Sequence, residues 1–517
     1  MKKIETFDTT LRDGAQAERI SFSVRDKLKI AALLDTLGVD FIEINMLDDS
    51  DMDFAGKLKE INLKNSRIAA FGSTCRIFEK PSQNKALSYI VDGGFSAASI
   101  FGKAWDLHVS DVLGTNGNEN LRMIYDSVSF LAEKKIDVIF DAEHFFDGYK
   151  SNPGYAMEVL KTASAAGAYR LVLCDTNGGC FPDETFDITS KVCDELGNVV
   201  GIHAHNDGGM AVSNSVFAIK AGAVQIQGTI NGIGERCGNA NLATIIANLQ
   251  IKKNLKLIPD GNLSKLTYVC RAVAETANIS LRNMPYVSRQ AFSHKAGMHI
   301  DGVMKNPESF EHVDPRLVGN ERNFVVSGIA GRSALIDTIH KIAPYIDKNS
   351  PETLAILQEI KEREQEGFQY DAADASLELV IKKSLGLFKK HFDIGLCRLI
   401  DEHDSGRERC YSSVFIKVYV GDSEEITAAD SDGPVHAMDI ALRKALDRFY
   451  PSLREMKLSD YKVRVLNSEA ATGSTTRVLI ETTENGHTWT TIGVSENIIE
   501  ASLVALVDSI EYKLNRE

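Results

Sequence analysis

The stretch SVRDKLKIAALLDTLG (residues 23–38), followed by DFIEIN (40–45), shows the unit from which the first half of this chain is built. Ser23 can cap a helix whose apolar residues recur every three or four positions, and Gly38 can end it. The short apolar run that follows is typical of a buried strand. A helix and a strand therefore alternate here, which is typical of α/β folds.

Eight such apolar runs occur before residue 250, each ending in polar residues. They are IETFDTT (4–10), DFIEIN (40–45), RIAAFGS (67–73), AASIFG (97–102), DVIFDAEH (137–144), RLVLCDT (170–176), GIHAHND (201–207) and AVQIQGT (223–229). Strands separated by helices at intervals of roughly 25 to 35 residues favour a (β/α)8 TIM barrel over an open doubly wound sheet. A doubly wound sheet also has a glycine-rich first turn, which this sequence does not show.

Two further regions follow the barrel pattern, so we expect three domains. They are a catalytic barrel over residues 1–262, helical linker subdomains over 263–385 that contribute to the active site, and a C-terminal α+β domain over 386–517. The last contains four strand-like stretches, at 392–403, 412–420, 461–469 and 476–495, and two helical ones, at 434–449 and 498–514.

Composition and charge exclude several classes of protein. Hydrophobic residues make up 44% of the chain and charged residues 25%, as in globular proteins, and no apolar run is long enough to cross a bilayer. The formal net charge of −14 disfavours nucleic-acid binding. Eight cysteines without a CxxC pair favour reduced thiols, so we expect a cytoplasmic protein without a membrane partner.

His203 and His205 lie two positions apart on the seventh strand, so their side chains share one face. Closure of a barrel would bring them near Asp13, after strand one, and near the loop after strand eight, which contains Asn239. Two imidazoles, a carboxylate and an amide oxygen suit a divalent ion such as Mg²⁺, Mn²⁺ or Zn²⁺. The alternative is that the histidines are ordinary polar residues at the barrel rim.

Two charged residues at the same barrel end leave alternatives open. Arg12 could form a structural ion pair with Asp13, or it could bind a carboxylate and stabilise a developing oxyanion. Glu143 could assist at the reacting centre, or it could orient Arg12 or a ligand.

Four motifs in order resemble the 2-isopropylmalate, homocitrate and citramalate synthases, which are metal-dependent Claisen-condensing enzymes on a TIM barrel. The motifs are DTTLRDGAQ (8–16), GIHAHNDGGMAVSNS (201–215), GERCGNANL (234–242) and FSHKAGMHIDG (292–302). SIFGKAWDLHV (99–109), DAEHFFDGYK (141–150) and LCDTNGG (173–179) resemble the long-chain citramalate synthase branch in particular. The resemblance implies an acyltransferase that condenses acetyl-CoA with pyruvate and water to give (R)-citramalate and CoA, in isoleucine biosynthesis.

The resemblance also implies roles for individual residues. The metal ligands would be Asp13, His203, His205 and Asn239; the catalytic residues Arg12, Glu143 and His299; and the substrate-binding residues Arg12, Gln16, Thr176 and Asp301. Arg12 would face the keto oxygen of the 2-oxo acid and Thr176 its carboxylate. His299 is the first candidate for the base and Glu143 the second. The family resemblance further implies a homodimer whose C-terminal domain binds an allosteric amino acid, isoleucine by pathway logic. Many relatives have tyrosine where this sequence has Phe310.

Other functions remain open at this point. A different 2-oxo acid would make the chain a 2-isopropylmalate or homocitrate synthase, because a pocket distinguishes substrates by small volume differences. An acyl-CoA lyase uses the same scaffold, although those chains are usually short and lack the C-terminal domain. A non-catalytic amino-acid sensor would be expected to have lost some of the polar barrel residues, and none is lost.

Overall fold

The computed structural model describes residues 3–46, 49–325, 331–402, 411–466, 474–484 and 487–516, without the side chains of 331–334. Parts of three predicted strands, at 403, 467–469 and 485–486, lie outside the described residues. The chain forms two compact units. The first comprises Met1–Phe292 with Val313–Arg322, and the second comprises Ser293–His312 with Asn323–Glu517. The three predicted domain boundaries stay predictions.

Eight parallel strands form a closed barrel in the first unit, which confirms the predicted TIM barrel. They are β1 Glu5–Asp8, β2 Phe41–Asn45, β3 Arg67–Ser73, β4 Ala97–Lys103, β5 Asp137–Glu143, β6 Arg170–Asp175, β7 Val200–Ala204 and β8 Gln225–Gly228. Each strand pairs with its neighbours in sequence, and β1 pairs with β8 to close the ring.

Helices surround the strands of the barrel. They are α1 Val24–Leu37, α2 Asp49–Glu60, α3 Lys85–Gly93, α4 Gly117–Glu133, α5 Phe145–Ser151, α6 Pro153–Ala165, α7 Pro182–Leu196, α8 Ala211–Lys220, α9 Leu242–Lys253 and α10 Leu266–Ala277. Ser23 and Asp26 form a capping box at the start of α1, and Gly38 ends it with φ 88°. Apolar side chains between helices and strands form the main core.

The barrel interior has an apolar layer below a polar layer. Side chains such as Phe7, Phe41 and Ile139 form a separate buried cluster. Residues two positions further along a strand point to the same side, so Glu43 and Asp141 also face inward. Polar groups therefore collect toward the carboxyl ends of the strands, where TIM barrels place their active sites.

The second unit begins with short elements and four helices. They are β9 Ser293–His294, α11 Gly297–Lys305, β10 Asn323–Phe324, α12 Gly331–Ile342, α13 Pro351–Gln365 and α14 Asp374–Ser384. The motif FSHKAGMHIDG thus forms β9 and much of α11. Across the described residues, none of the helices combines the length and hydrophobicity that a bilayer crossing requires.

Two antiparallel three-stranded sheets follow, each covered by a helix, as expected for the predicted α+β domain. They are formed by β11 Asp393–Glu402, β12 Tyr411–Val420 and β13 Ser423–Ser431, and by β14 Lys457–Val465, β15 Thr476–Glu484 and β16 His487–Ser495; the helices are α15 Pro434–Leu446 and α16 Ile498–Leu514. The sequence analysis missed β13. Its residues are largely polar and none is fully buried, so the hydrophobic signal of a strand is weak.

Candidate metal centre and active site

Three buried side chains converge at the mouth of the barrel. Asp13 Oδ2 lies 3.2 Å from His203 Nε2 and 3.8 Å from His205 Nε2. The two Nε2 atoms are 3.3 Å apart, and all three ligand atoms lie within 4.8 Å of one another. This cluster can hold a metal ion, and it unites residues that the sequence analysis predicted as ligands.

A chain of hydrogen bonds fixes the orientation of His203. Its Nδ1 donates to Gln227 Oε1 at 2.8 Å, which leaves Nε2 free to ligate. Gln227 Nε2 donates to Asp141 Oδ1 at 3.0 Å, and Ser99 Oγ donates to Asp141 Oδ2 at 2.6 Å. Because β5 and β8 are not neighbours in the barrel, the bond between Gln227 and Asp141 crosses its interior. The sequence analysis gave neither Gln227 nor Ser99 a role.

Asn239 is held close to His205 by the backbone. The two residues form an isolated antiparallel bridge, and the Ala240 amide donates to the Ala204 carbonyl at 2.9 Å. A Cβ on Gly238 would lie 2.1 Å from a backbone carbonyl oxygen, so only glycine permits this tight loop. Asn239 Oδ1 is buried and has no hydrogen-bond partner among the described residues. A buried amide oxygen without a partner, on the residue that bridges to His205, fits a fourth metal ligand.

Arg12 is held in place by a residue that the sequence analysis missed. Its Nε donates to Glu43 Oε2 at 2.6 Å, and its Nη1 lies 3.3 Å from Asp13 Oδ2. The guanidinium also lies over the Phe71 ring, 4.1 Å from the centroid. Glu43 is fully buried in β2. An acidic residue in the apolar run DFIEIN was the signal that could have identified it.

Neighbouring charges set the protonation of the three clustered residues. Burial alone would raise the pKa of Asp13, but Arg12 and His203 hold it well below its usual range. Burial and the His203 charge lower the pKa of His205 to about 4. Burial opposes a charged His203, but Asp13 raises its pKa. Asp13 and His205 are thus in the deprotonated forms that ligate a metal at neutral pH.

Three other predicted site residues lie near the carboxyl ends of β5, β6 and β1. Glu143, the last residue of β5, pairs with Lys103 at the end of β4. Thr176 follows β6, and its Oγ1 accepts a hydrogen bond of 2.9 Å from the His144 amide. Gln16 is exposed in a short 3₁₀ turn that begins directly after Asp13.

Arg236 joins the loops that follow three strands. It donates to Asp207 Oδ1 and Oδ2 at 2.8 and 2.9 Å and to the Thr176 carbonyl at 2.7 Å. Asp207 follows the two histidines in sequence, and Arg236 binds both of its carboxylate oxygens. The Arg236 side chain therefore stabilises the loops beside the cluster of Asp13, His203 and His205.

The remaining predicted residues belong to the second unit. His299 is exposed on α11, and its ring stacks on Phe310 with centroids 4.3 Å apart. Asp301 Oδ2 pairs with Lys305 at 2.6 Å on the same helix. Phe310 thus provides an aromatic surface beside His299 but no hydroxyl group.

Comparisons with known proteins agree with this architecture. The HMGL-like family model matches residues 3–273, and the model described as homocitrate synthase post-HMGL domain-like matches 286–367. The LeuA allosteric (dimerisation) domain matches 371–514. The (R)-citramalate synthase of Aquifex aeolicus is 49% identical, and the match covers 100% of this chain and 98% of the relative. The chain belongs to the citramalate synthases of the HMGL-like family.

Two relatives from one organism allow a direct comparison between the citramalate synthases and the 2-isopropylmalate synthases. The (R)-citramalate synthase of Sulfolobus acidocaldarius is 43% identical, covering 100% of this chain and 98% of the relative. The 2-isopropylmalate synthase of the same organism is 33% identical, covering 72% of this chain and 94% of the relative. The sequence therefore matches the citramalate synthase more closely and over a greater length.

We expect His203→Ala to abolish stoichiometric metal binding, because it removes the imidazole ligand that lies beside Asp13. Asn239→Ala should weaken binding by about tenfold, since three ligands remain. Metal content by mass spectrometry and titration with Mn²⁺ and Zn²⁺ measure both effects.

His340→Ala provides a matched control, because His340 is exposed on α12 in the second unit. Its metal content should equal that of the wild type. Wild-type metal content in His203→Ala would show that the cluster is not the metal site.

Proposed function

We propose that this chain condenses acetyl-CoA with pyruvate and water to give (R)-citramalate and CoA, in isoleucine biosynthesis. The intact cluster of Asp13, His203 and His205 beside Arg12 is the observation that carries the proposal. The full-length likeness to proteins named (R)-citramalate synthase supports the choice of reaction.

A divalent ion, Mg²⁺, Mn²⁺ or Zn²⁺, would be held by Asp13, His203, His205 and Asn239. When bound, it would polarise the carbonyl group of the 2-oxo acid. The residues fit such an ion because they offer two nitrogen and two oxygen ligands, one of which is the orphaned Oδ1 of Asn239.

Arg12 supplies a fixed positive charge at the same place. Because Glu43 holds Nε and the Phe71 ring supports the guanidinium, the side chain has little freedom to move. A guanidinium keeps its charge at any working pH, so it can stabilise the alkoxide that forms when the ketone is attacked. We assign the substrate carboxylate to the hydroxyl group of Thr176, with Gln16 near the entrance.

Formation of the carbon nucleophile requires a base near the acetyl methyl group. We propose His299 for this role, because histidine is the side chain that most often serves as a general base and this one is exposed. Asp301 would help to bind substrate from the same helix. Glu143 is the second candidate, but the Lys103 ammonium group already contacts its carboxylate.

The C-terminal domain suggests regulation. The match to an allosteric (dimerisation) domain supports a homodimer and a bound effector. We propose isoleucine, the end product of the pathway, as that effector. We also propose the division into a barrel (1–262), a linker region (263–385) and a regulatory domain (386–517), and a cytoplasmic location.

Release of CoA thiol should be fastest with pyruvate. We expect kcat/KM for pyruvate to exceed that for 2-oxoisovalerate and 2-oxoglutarate by at least about tenfold, which is the discrimination that one additional methylene group usually gives. A thiol-release assay measures the rates, and chiral chromatography identifies the product. Comparable rates with 2-oxoisovalerate would overturn the citramalate assignment.

Replacement of His299 by alanine should lower kcat by about 10² to 10⁴, the usual contribution of a general base. Metal content should be unchanged, because His299 is not one of the ligands. His340→Ala, in the same unit, should keep wild-type kcat. If His299→Ala retains most of its turnover while Glu143→Gln does not, Glu143 is the base instead.

A further inference from the structure

His144 has an unusual backbone conformation at the carboxyl end of β5. Its φ of 56° and ψ of 34° lie in the left-handed region, which costs free energy for a residue with a Cβ. The conformation turns the chain directly from β5 into α5, whose first internal hydrogen bond runs from the Gly148 amide to the His144 carbonyl at 2.9 Å. It also aims the His144 amide at Thr176 Oγ1, 2.9 Å away on the next strand's end.

This hydrogen bond determines what the Thr176 hydroxyl can do. A hydroxyl group has one hydrogen to donate and can accept two hydrogen bonds. Because Oγ1 accepts from the His144 amide, its own hydrogen must point elsewhere and remains available for an acceptor. A carboxylate oxygen of a 2-oxo acid is an acceptor of this kind.

The His144 side chain explains how the strained backbone is held. Its ring lies 4.2 Å from the His108 ring, centroid to centroid, and Trp105 stacks on His108 at 5.2 Å. His144 Nδ1 lies 3.3 Å from Asp147 Oδ2, an oxygen that also accepts from Asn177 Nδ2 at 3.0 Å. The imidazole thus contacts Trp105, His108 and Asp147 directly, while Asn177 from a third segment holds Asp147. His108 itself belongs to a π-helical turn.

The three segments lie within motifs from the sequence analysis, at positions that the metal centre does not explain. Trp105 and His108 belong to SIFGKAWDLHV, His144 and Asp147 to DAEHFFDGYK, and Asn177 to LCDTNGG. The structure brings these stretches together at one corner of the barrel, beside Thr176.

We propose that His144 is a positioning residue for the 2-oxo acid. Its left-handed backbone orients the Thr176 hydroxyl toward the substrate carboxylate, and the stack of Trp105 and His108 maintains that backbone. The inference rests on the proposed function, in which Thr176 binds the carboxylate.

Three substitutions of His144 separate backbone geometry from imidazole chemistry. Glycine adopts the left-handed conformation without steric cost, alanine adopts it poorly, and β-branched valine is excluded from it. We expect the KM for pyruvate to rise at most about twofold in His144→Gly and by about tenfold in His144→Val, with His144→Ala between them. The KM for acetyl-CoA and the metal content should stay within about twofold of the wild type.

Thr176→Val tests whether the effect passes through the hydroxyl. It should raise the KM for pyruvate by about tenfold, and the double variant Thr176→Val with His144→Val should be no worse than Thr176→Val alone. Thermal unfolding of each variant identifies any that fail to fold. If His144→Val fails to fold, the comparison of His144→Gly with His144→Ala replaces the comparison of His144→Gly with His144→Val.

The outcomes separate this inference from the proposed function. An unchanged KM in Thr176→Val would contradict the role of Thr176, and this inference with it. A raised KM in Thr176→Val together with wild-type KM in both His144→Ala and His144→Val would overturn the inference alone. Equal losses in glycine and valine variants would also overturn it, because they would show that the imidazole rather than the backbone matters.

Discussion

Pairing of β1 with β8 closes the barrel, and the cluster of Asp13, His203 and His205 depends on it. Glu5 to Asp8 pair in register with Gln225 to Gly228, and β8 in turn pairs with β7. The closure brings Asp13, which follows β1, beside His203 on β7. A shift of one residue in this register would displace the chain that follows β1 along the barrel and would separate Asp13 from the two imidazoles. The metal centre is thus a consequence of how the sheet closes.

Closure also places charged groups inside the barrel, where each needs a partner. Glu43 is fully buried, and burial raises its pKa to about 7 although the Arg12 charge opposes the shift. Asp141 is held by Ser99 and Gln227, and that chain of hydrogen bonds continues to His203. Loss of either partner would leave a buried polar or charged group without its hydrogen bond, which lowers the free energy of unfolding. The polar layer therefore orients Arg12 and the imidazoles before any substrate arrives.

Much of this arrangement could be predicted from the sequence, because the periodicities of strands and helices are local. His203 and His205 share a face by alternation alone, and eight strands imply closure near Asp13. Glu43 was missed because alternation does not tell which face of DFIEIN points inward. The left-handed backbone of His144 could not be predicted, since contacts with His108, distant in sequence, hold it. Long-range packing, rather than local preference, decides such positions.

We infer that the barrel cluster binds the ion on which the 2-oxo acid is positioned. Crystals of the full chain grown with Mn²⁺ and pyruvate test it most directly, by anomalous diffraction at the manganese edge. We expect an anomalous peak within about 2.3 Å of Asp13 Oδ2, of Asn239 Oδ1 and of Nε2 of His203 and His205, with pyruvate bound beside the ion. A peak elsewhere, or pyruvate bound away from the ion, would contradict it.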